Sequence, residues 1–164
     1  MKTLLLIRHA KSDWSDSSQS DFDRPLNERG KKDAPKMAQR LWQRDLKIDL
    51  FISSPAKRAR KTAEEFVKVY GNKKEVQLKS ALYLAASDTF YSIIEQADPR
   101  ADTIAVFSHN PGITEFANSL TTARIDNIPT CGVFAVSIDT DRWENFSSAD
   151  KSFVFFDYPK GIID

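Results

Sequence analysis

The sequence predicts a three-layer α/β/α protein in which helices cover both faces of a largely parallel, mixed β-sheet. Three short apolar runs, at 3–7, 48–52 and 103–107, carry this prediction, and each is followed by polar residues and then by a segment of helical periodicity. An unbroken apolar run of this length is typical of a strand buried on both faces, as in parallel sheets. Alternation of such strands with helices predicts an α/β fold. The length of 164 residues favours a single domain spanning 1–164.

The composition argues against several classes of protein. With 24 basic and 23 acidic residues the net charge is +1, so neither a nucleic acid nor a membrane is an expected partner. The single cysteine, Cys131, lies in an apolar run and is expected to pack in the core. One cysteine also suits the reducing cytoplasm. No apolar run approaches the roughly 20 residues of a membrane span, so we expect a cytoplasmic protein, and its oligomeric state is left open.

Residues 11–24 follow the first strand and are rich in Ser and Asp. This segment is longer than most connections, which is compatible either with a functional flap over the sheet edge or with a solvated insertion. A turn at 25–30 then leads into the first helix. Asp33 is the predicted N-cap, which places Pro35 in the first helical turn. The apolar stripe of this helix comprises Ala34, Met37, Ala38, Leu41 and Trp42.

The second strand leads directly into a second helix. Ser54 followed by Pro55 predicts a hydroxyl N-cap and a proline at the first helical position. Arg58 lies in the first turn, where the helix dipole disfavours a cation, and this violation of a local rule makes it a functional candidate. The helix is expected to end at Gly71-Asn72. Its predicted buried stripe comprises Ala59, Ala63, Phe66, Val67 and Tyr70.

The remaining elements continue the alternation of strands and helices. They are an edge strand at 75–79, a helix from Ser87-Asp88 to about Ala97, the strand at 103–107, a helix started by Asn110-Pro111, and two final strands at 131–138 and 152–156.

Three of the predicted strands end in polar junctions that carry cations or imidazoles: Arg8-His9, the segment 53–58, and Ser108-His109. The chain has two histidines, and both follow a buried strand directly. Because parallel strands bring their carboxyl ends to one edge of the sheet, we expect these junctions to converge. Arginine donors and helix N-termini around one point predict a pocket for an anion such as phosphate.

Imidazole suits phosphoryl transfer, since it is nucleophilic at neutral pH when unprotonated. The flanking arginines would neutralise charge on the phosphoryl oxygens. No acidic cluster follows a strand in a metal-ligand arrangement, so neither a metal nor a cofactor is expected. A metal-dependent phosphatase remains an alternative, for which Asp13, Asp16, Asp21 and Asp23 would be the first candidate ligands.

At these junctions the chain resembles the histidine phosphatase superfamily, which has the phosphoglycerate-mutase-like fold. Arg8-His9-Ala10 is similar to its Arg-His-Gly hallmark, the segment from Ser53 to Ala63 matches its Ser-Ser-Pro-x-x-Arg-x-x-x-Thr-Ala motif, and Ser108-His109 matches its second histidine. The opening from Arg8 to Trp14 looks most like the compact branch typified by the phosphohistidine phosphatase SixA. The resemblance implies that His9 is the nucleophile, phosphorylated on Nε2, and that Arg8, Arg58 and His109 bind the phosphoryl group.

Two departures from the family pattern affect the substrate prediction. Ala10 replaces the usual glycine, and residues 82–86 lack the Glu or Asp that protonates the leaving group in many members; Asp88 is nearest but is expected in a helix cap. An alkoxide leaves poorly without a proton, whereas phosphohistidine has a better leaving group. The resemblance therefore implies a metal-independent phosphoric monoester or phosphoramidate hydrolase acting on protein phosphohistidine. A phosphatase for a small phosphorylated metabolite and a non-catalytic phospho-ligand-binding module are the alternatives.

Overall fold

A six-stranded mixed sheet with strand order β3-β2-β4-β1-β5-β6 forms the middle layer of the protein. The structure is a computed structural model that describes residues 1–71 and 75–161. The first four strands in this order run parallel, and β5 and β6 are antiparallel to their neighbours. The strands are β1 (Lys2–Arg8), β2 (Leu50–Ser53), β3 (Gln77–Leu78), β4 (Thr103–Ser108), β5 (Val133–Ile138) and β6 (Lys151–Asp157), and the helices are α1 (Glu28–Gln43), α2 (Lys57–Tyr70), α3 (Ser87–Glu95) and α4 (Gly112–Leu120).

Strand β1 lies inside the sheet between β4 and β5 and is buried on both faces. Leu4 and Leu6 pack into one hydrophobic cluster, together with residues of α3 and α4. Leu5 and Ile7 point to the other face and pack with residues of α1 and α2. Because successive side chains of a strand alternate between faces, two buried faces require an unbroken apolar run. The predicted three-layer α/β/α fold is confirmed.

Helix α1 begins at Glu28, so the prediction that Asp33 is its N-cap is wrong. Asn27 is the N-cap, and its side chain accepts a hydrogen bond from the backbone N–H three residues on. Asp33 is instead buried within the helix and forms an ion pair with Arg29. Pro35 therefore lies inside the helix rather than in its first turn. A proline there removes one helical hydrogen bond, and the burial of Ala34, Met37, Ala38 and Leu41 offsets that loss. Trp42, the fifth residue of the predicted stripe, is exposed instead.

Helix α2 also starts differently from the prediction. Ala56 occupies the N-cap position without a side-chain cap, so the prediction that Ser54 caps a helix with Pro55 at its first position is wrong. The Ser54 hydroxyl accepts a hydrogen bond from Ala56 N and lies 2.8 Å from Nε2 of His109. The Ser54 hydroxyl therefore bonds to Ala56 and contacts His109 instead of capping α2.

Helix α4 shows the same departure, because Pro111 is in the N-cap position and Asn110 does not cap the helix. The Asn110 amide oxygen accepts a hydrogen bond from the Thr114 hydroxyl, and its amide nitrogen donates to the carbonyl of Ile128. The asparagine therefore ties the start of α4 to the loop after it.

The other predicted elements occur with shifted ends. Gly71 ends α2 in the left-handed conformation, and Asn72 lies outside the described residues. Helix α3 has Ala86 rather than Ser87 at its N-cap and ends at Glu95. Cys131 precedes β5 instead of starting it, and it is a fully buried free thiol, as expected for a core residue. Across residues 1–71 and 75–161, no helix is long and apolar enough to cross a bilayer.

Candidate active site

The three polar junctions converge at the carboxyl edge of the parallel strands, as predicted. Arg8 stands opposite Ser108 in the pairing of β1 with β4, so His9 and His109 leave neighbouring strands at the same level. Their ring centroids are 5.2 Å apart. Arg8, His9, Arg58 and His109 all line one cavity of about 510 Å³. The four residues selected from sequence are therefore brought together.

The tautomer of His9 follows from the partners of its two ring nitrogens. Nδ1 lies 2.7 Å from the Ala10 carbonyl, which can only accept, so Nδ1 carries the proton. Nε2 accepts a hydrogen bond of 3.4 Å from Nε of Arg58, which can only donate, so Nε2 carries a lone pair. The imidazole thus presents an unprotonated Nε2 among the cations of the cavity.

Both imidazoles are held in the neutral form. Burial lowers the pKa of His9 to about 3, and although its hydrogen bond to Ala10 acts in the opposite direction, the neighbouring His109, Arg58 and Arg8 lower it further. Burial, followed by the charge of Arg58, likewise lowers the pKa of His109 to about 3. At neutral pH the cavity therefore combines uncharged imidazoles with charged guanidinium groups.

Several polar atoms at the cavity have no hydrogen-bond partner within the protein. Among the described residues, the buried nitrogens without a partner include Nε of Arg8, Nε of Arg24 and Nδ1 of His109. Because buried polar groups are normally paired, unpaired guanidinium and imidazole nitrogens at one site mark it as a candidate for function.

The loop at 11–24 forms a wall of this cavity, which favours the flap alternative over a solvated insertion. Arg24 is 8% exposed, its guanidinium lies 3.6 Å from the centroid of the Trp14 ring, and it donates a hydrogen bond to the Ser12 hydroxyl. Trp14 and Asp21 also line the cavity. Sequence reasoning missed Arg24 as a cavity residue, because only the length and composition of the loop signalled a role.

The acidic residues of this loop are engaged with protein groups. Asp21 forms ion pairs with Arg24 and Arg58. Asp16 accepts from the Ser18 backbone and hydroxyl. Within the described parts of the chain, no group of three or more His, Cys, Asp or Glu side chains is arranged to hold a metal ion.

The segment before α3 places a leucine at the cavity. Leu84 lines it with its backbone in the left-handed region at φ 51°. Asp88 lies in the first turn of α3 and is not among the cavity-lining residues that the structure describes. Asp21 is the one acidic residue among them.

Comparison with known proteins gives the family. The chain matches the histidine phosphatase superfamily (branch 1) over residues 4–83. It is 33% identical over 152 residues to an uncharacterized chloroplastic protein of Arabidopsis thaliana, covering 87% of this chain and 69% of that protein. It is 45% identical over 67 residues to phosphoserine phosphatase 1 of Hydrogenobacter thermophilus, covering 40% of this chain and 31% of that protein.

The fold of the chain is similar to that of the protein histidine phosphatase SixA solved in complex with tungstate. The TM-score is 0.81 at 19% sequence identity, and the match covers 96% of this chain and 97% of that one. The sequence matches point to the same family as the fold and as the residues at the carboxyl edge of the sheet. The chain therefore belongs to the histidine phosphatase superfamily and is a hydrolase of the phosphatase class.

Proposed function

We propose that this phosphatase hydrolyses phosphohistidine on a protein, through a covalent phosphohistidine on His9 and without a metal or a cofactor. One observation carries the proposal: the cavity holds an unprotonated imidazole nitrogen among three arginines, but its lining, as far as the structure describes it, offers no carboxyl group suited to protonate a leaving group. The arginines favour binding of a phosphoryl group. The lack of a proton donor favours substrates whose leaving group does not need to be protonated.

In the first step, the Nε2 lone pair of His9 attacks phosphorus. An N–P bond forms as the bond from phosphorus to the leaving group breaks, and the leaving group keeps that electron pair. Arg8 and Arg58 neutralise the charge on the phosphoryl oxygens in the transition state. His109, whose ring centroid lies 5.2 Å from that of His9, lines the same cavity and would contact the phosphoryl group there. In the second step, the oxygen of a water molecule attacks phosphorus as the N–P bond breaks. That electron pair returns to Nε2 of His9, and the water protons leave on inorganic phosphate, which regenerates the neutral imidazole.

The leaving group is the point at which substrates differ. Leu84 cannot donate a proton, and Asp21 is held as a carboxylate. Partial burial raises the pKa of Asp21, but hydrogen bonds from Tyr83 and Arg24 and the charge of Arg58 outweigh it and hold that pKa well below its usual range. An alkoxide needs a proton to leave, whereas the imidazole of a phosphoramidate is a better leaving group. The site therefore favours phosphohistidine over alkyl phosphates.

Exposed apolar side chains at the mouth of the cavity favour a protein as the substrate. Trp14 is 75% exposed and Leu84 is 58% exposed, and both line the cavity. Phe22 is partly exposed and packs edge-on against Tyr83. Large solvent-exposed apolar side chains beside a charged pocket are typical of a surface that contacts another protein. A protein carrying phosphohistidine would place its phosphoryl group in the pocket and its surface on this rim.

Metal independence and a cytoplasmic location belong to the same proposal. Three arginines in the cavity repel a divalent cation and already supply the positive charge that a metal would provide. The free, fully buried Cys131 is compatible with a reducing compartment.

A turnover panel tests the proposal by comparing a phosphohistidine protein, an aryl phosphate and an alkyl phosphate, each with and without a chelator. We expect the highest kcat/KM for the phosphohistidine protein, the lowest for the alkyl phosphate, and no effect of the chelator. A preference for the alkyl phosphate would overturn the argument from the missing acid. Loss of turnover with the chelator would instead indicate a metal-dependent enzyme.

A small phosphorylated metabolite is the second candidate substrate. It is favoured by the 45% identity over 67 residues to phosphoserine phosphatase 1, a protein named for a small phosphorylated amino acid. Phosphoserine in the same panel separates the two candidates, because its leaving group is an alkoxide. Binding of phosphorylated compounds without any turnover would indicate a non-catalytic module.

A further inference from the structure

Asp21 is the point at which the cavity loop is attached to the rest of the site. One carboxylate oxygen accepts a hydrogen bond of 2.7 Å from Nη2 of Arg24. The other accepts from Nη2 of Arg58 at 3.1 Å and from the Tyr83 hydroxyl at 2.5 Å. The backbone carbonyl of Asp21 accepts a further hydrogen bond of 2.6 Å from Nη1 of Arg58. A single residue thus joins the loop, helix α2 and the segment before α3.

We propose that Asp21 is a positioning residue that fixes the guanidinium groups of Arg24 and Arg58 in the arrangement used for phosphoryl transfer. The inference rests on the proposed phosphoryl-transfer function, but it does not depend on which phosphorylated substrate is used. Asp21 acts through the two arginines and does not transfer a proton itself.

The contacts of Arg58 show how this positioning works. Its Nε donates to His9, and its Nη1 and Nη2 both donate to Asp21. A guanidinium has five N–H donors in one plane, so these three bonds fix the plane and leave one N–H on each terminal nitrogen. Arg58 is 3% exposed, and water cannot replace a lost partner easily at that depth. Asp21 therefore sets the direction of the donors that remain.

The charge of Asp21 has a second consequence. Two arginines brought together in one cavity repel each other, and a carboxylate between them lowers that repulsion. The same carboxylate reduces the net positive charge that a phosphate dianion meets in the cavity. Removing the charge should therefore disorder the arginines, which slows the reaction, without weakening the general attraction for phosphate.

Asp21→Asn tests this inference, with Asp23→Asn as the matched control. Asp23 lies in the same loop, but its carboxylate accepts from the Ser20 hydroxyl and does not line the cavity. We measure kcat on an aryl phosphate, inhibition by inorganic phosphate and by vanadate, and the melting temperature. Vanadate adopts the five-coordinate geometry of the transition state, and phosphate does not.

For Asp21→Asn we expect kcat to fall at least tenfold and vanadate inhibition to weaken in proportion, because one arginine donor is lost from the transition state. Phosphate inhibition should stay within threefold of wild type or become tighter, and Asp23→Asn should match wild type throughout. Wild-type kcat in Asp21→Asn would overturn the inference. A parallel loss of phosphate inhibition and thermal stability would also overturn it, since that pattern indicates general loosening.

Tyr83→Phe provides a second variant should Asp21→Asn fail to fold, because it removes one hydrogen bond to Asp21 and keeps the aromatic ring. We expect the same pattern with a smaller fall in kcat, of about threefold, and an unchanged kcat would count against the inference. The aryl phosphate separates this inference from the proposed function. If the wild-type enzyme cleaves the aryl ester but does not hydrolyse phosphohistidine, the proposed substrate is wrong, and the effect of the Asp21 variant can still be measured. If wild type cleaves nothing, the proposed function fails, and calorimetric binding of phosphate and vanadate still compares the variants.

Discussion

Replacing Thr62 with valine should lower both the stability of the protein and kcat, because Thr62 supports the backbone next to His9. Thr62 is fully buried in α2, and its hydroxyl accepts a hydrogen bond of 3.0 Å from the backbone N–H of Ala10 and donates one of 2.8 Å to the carbonyl of Arg58. Valine has nearly the same shape, so packing is preserved. The Arg58 carbonyl keeps its helical partner, whereas the Ala10 N–H is left buried and unpaired.

The expected cost follows from that single orphaned donor. A buried unpaired N–H costs about 1–3 kcal/mol, which corresponds to a fall in melting temperature of about 2–12 °C for a chain of this size. Because Ala10 also supplies the carbonyl that orients His9, kcat should fall in the same variant.

Thermal melts and steady-state kinetics on an aryl phosphate measure both effects, and Thr62→Ser is the matched control. Serine keeps the hydroxyl and should restore most of the activity, with a small loss from the missing methyl group. Thr62→Val with wild-type stability and wild-type kcat would refute the reasoning, and so would Thr62→Ser behaving as poorly as valine.

Two further predictions concern acid stability and a close backbone contact. His9 and His109 have pKa values of about 3 in the folded protein, against an ordinary value of 6.5, so the unfolded chain binds more protons between these pH values. The free energy of unfolding should therefore fall as the pH drops from about 6.5 towards about 3, and urea denaturation should show a shallower fall in His109→Asn; equal slopes would contradict this. Gly30→Ala should also destabilise the protein, because a Cβ at that position would lie 2.2 Å from the backbone oxygen of Lys11, a cavity residue. We expect about 1–3 kcal/mol of lost stability together with lower kcat, measured by denaturation and kinetics, and an unchanged melting curve would show that the contact relaxes freely.

The strands and their polar junctions could be predicted because their cause is local. Burial of β1 on both faces demands an apolar residue at every position from Leu4 to Ile7, and the parallel direction of the strands then brings His9 and His109 together. These consequences follow from composition and direction, without knowledge of any individual contact.

The helix starts and the cavity loop could not be predicted in the same way. Ser54 resembles an N-cap in sequence, but its hydroxyl lies against His109, which is 55 positions away. Asp21 and Arg58 are 37 positions apart, and neither carries a sequence pattern that indicates the other. Functional contacts between a loop without periodicity and distant elements leave no local signature.

The most direct test of the central claim is a rapid-quench experiment that looks for phosphate on the protein during turnover. If His9 is the nucleophile, a transient phosphoprotein should form that is labile in acid and stable in alkali, with the phosphate on His9. The His9→Ala variant should form none and should lose turnover. Full turnover with no phosphoprotein, or an active His9→Ala enzyme, would contradict the covalent mechanism.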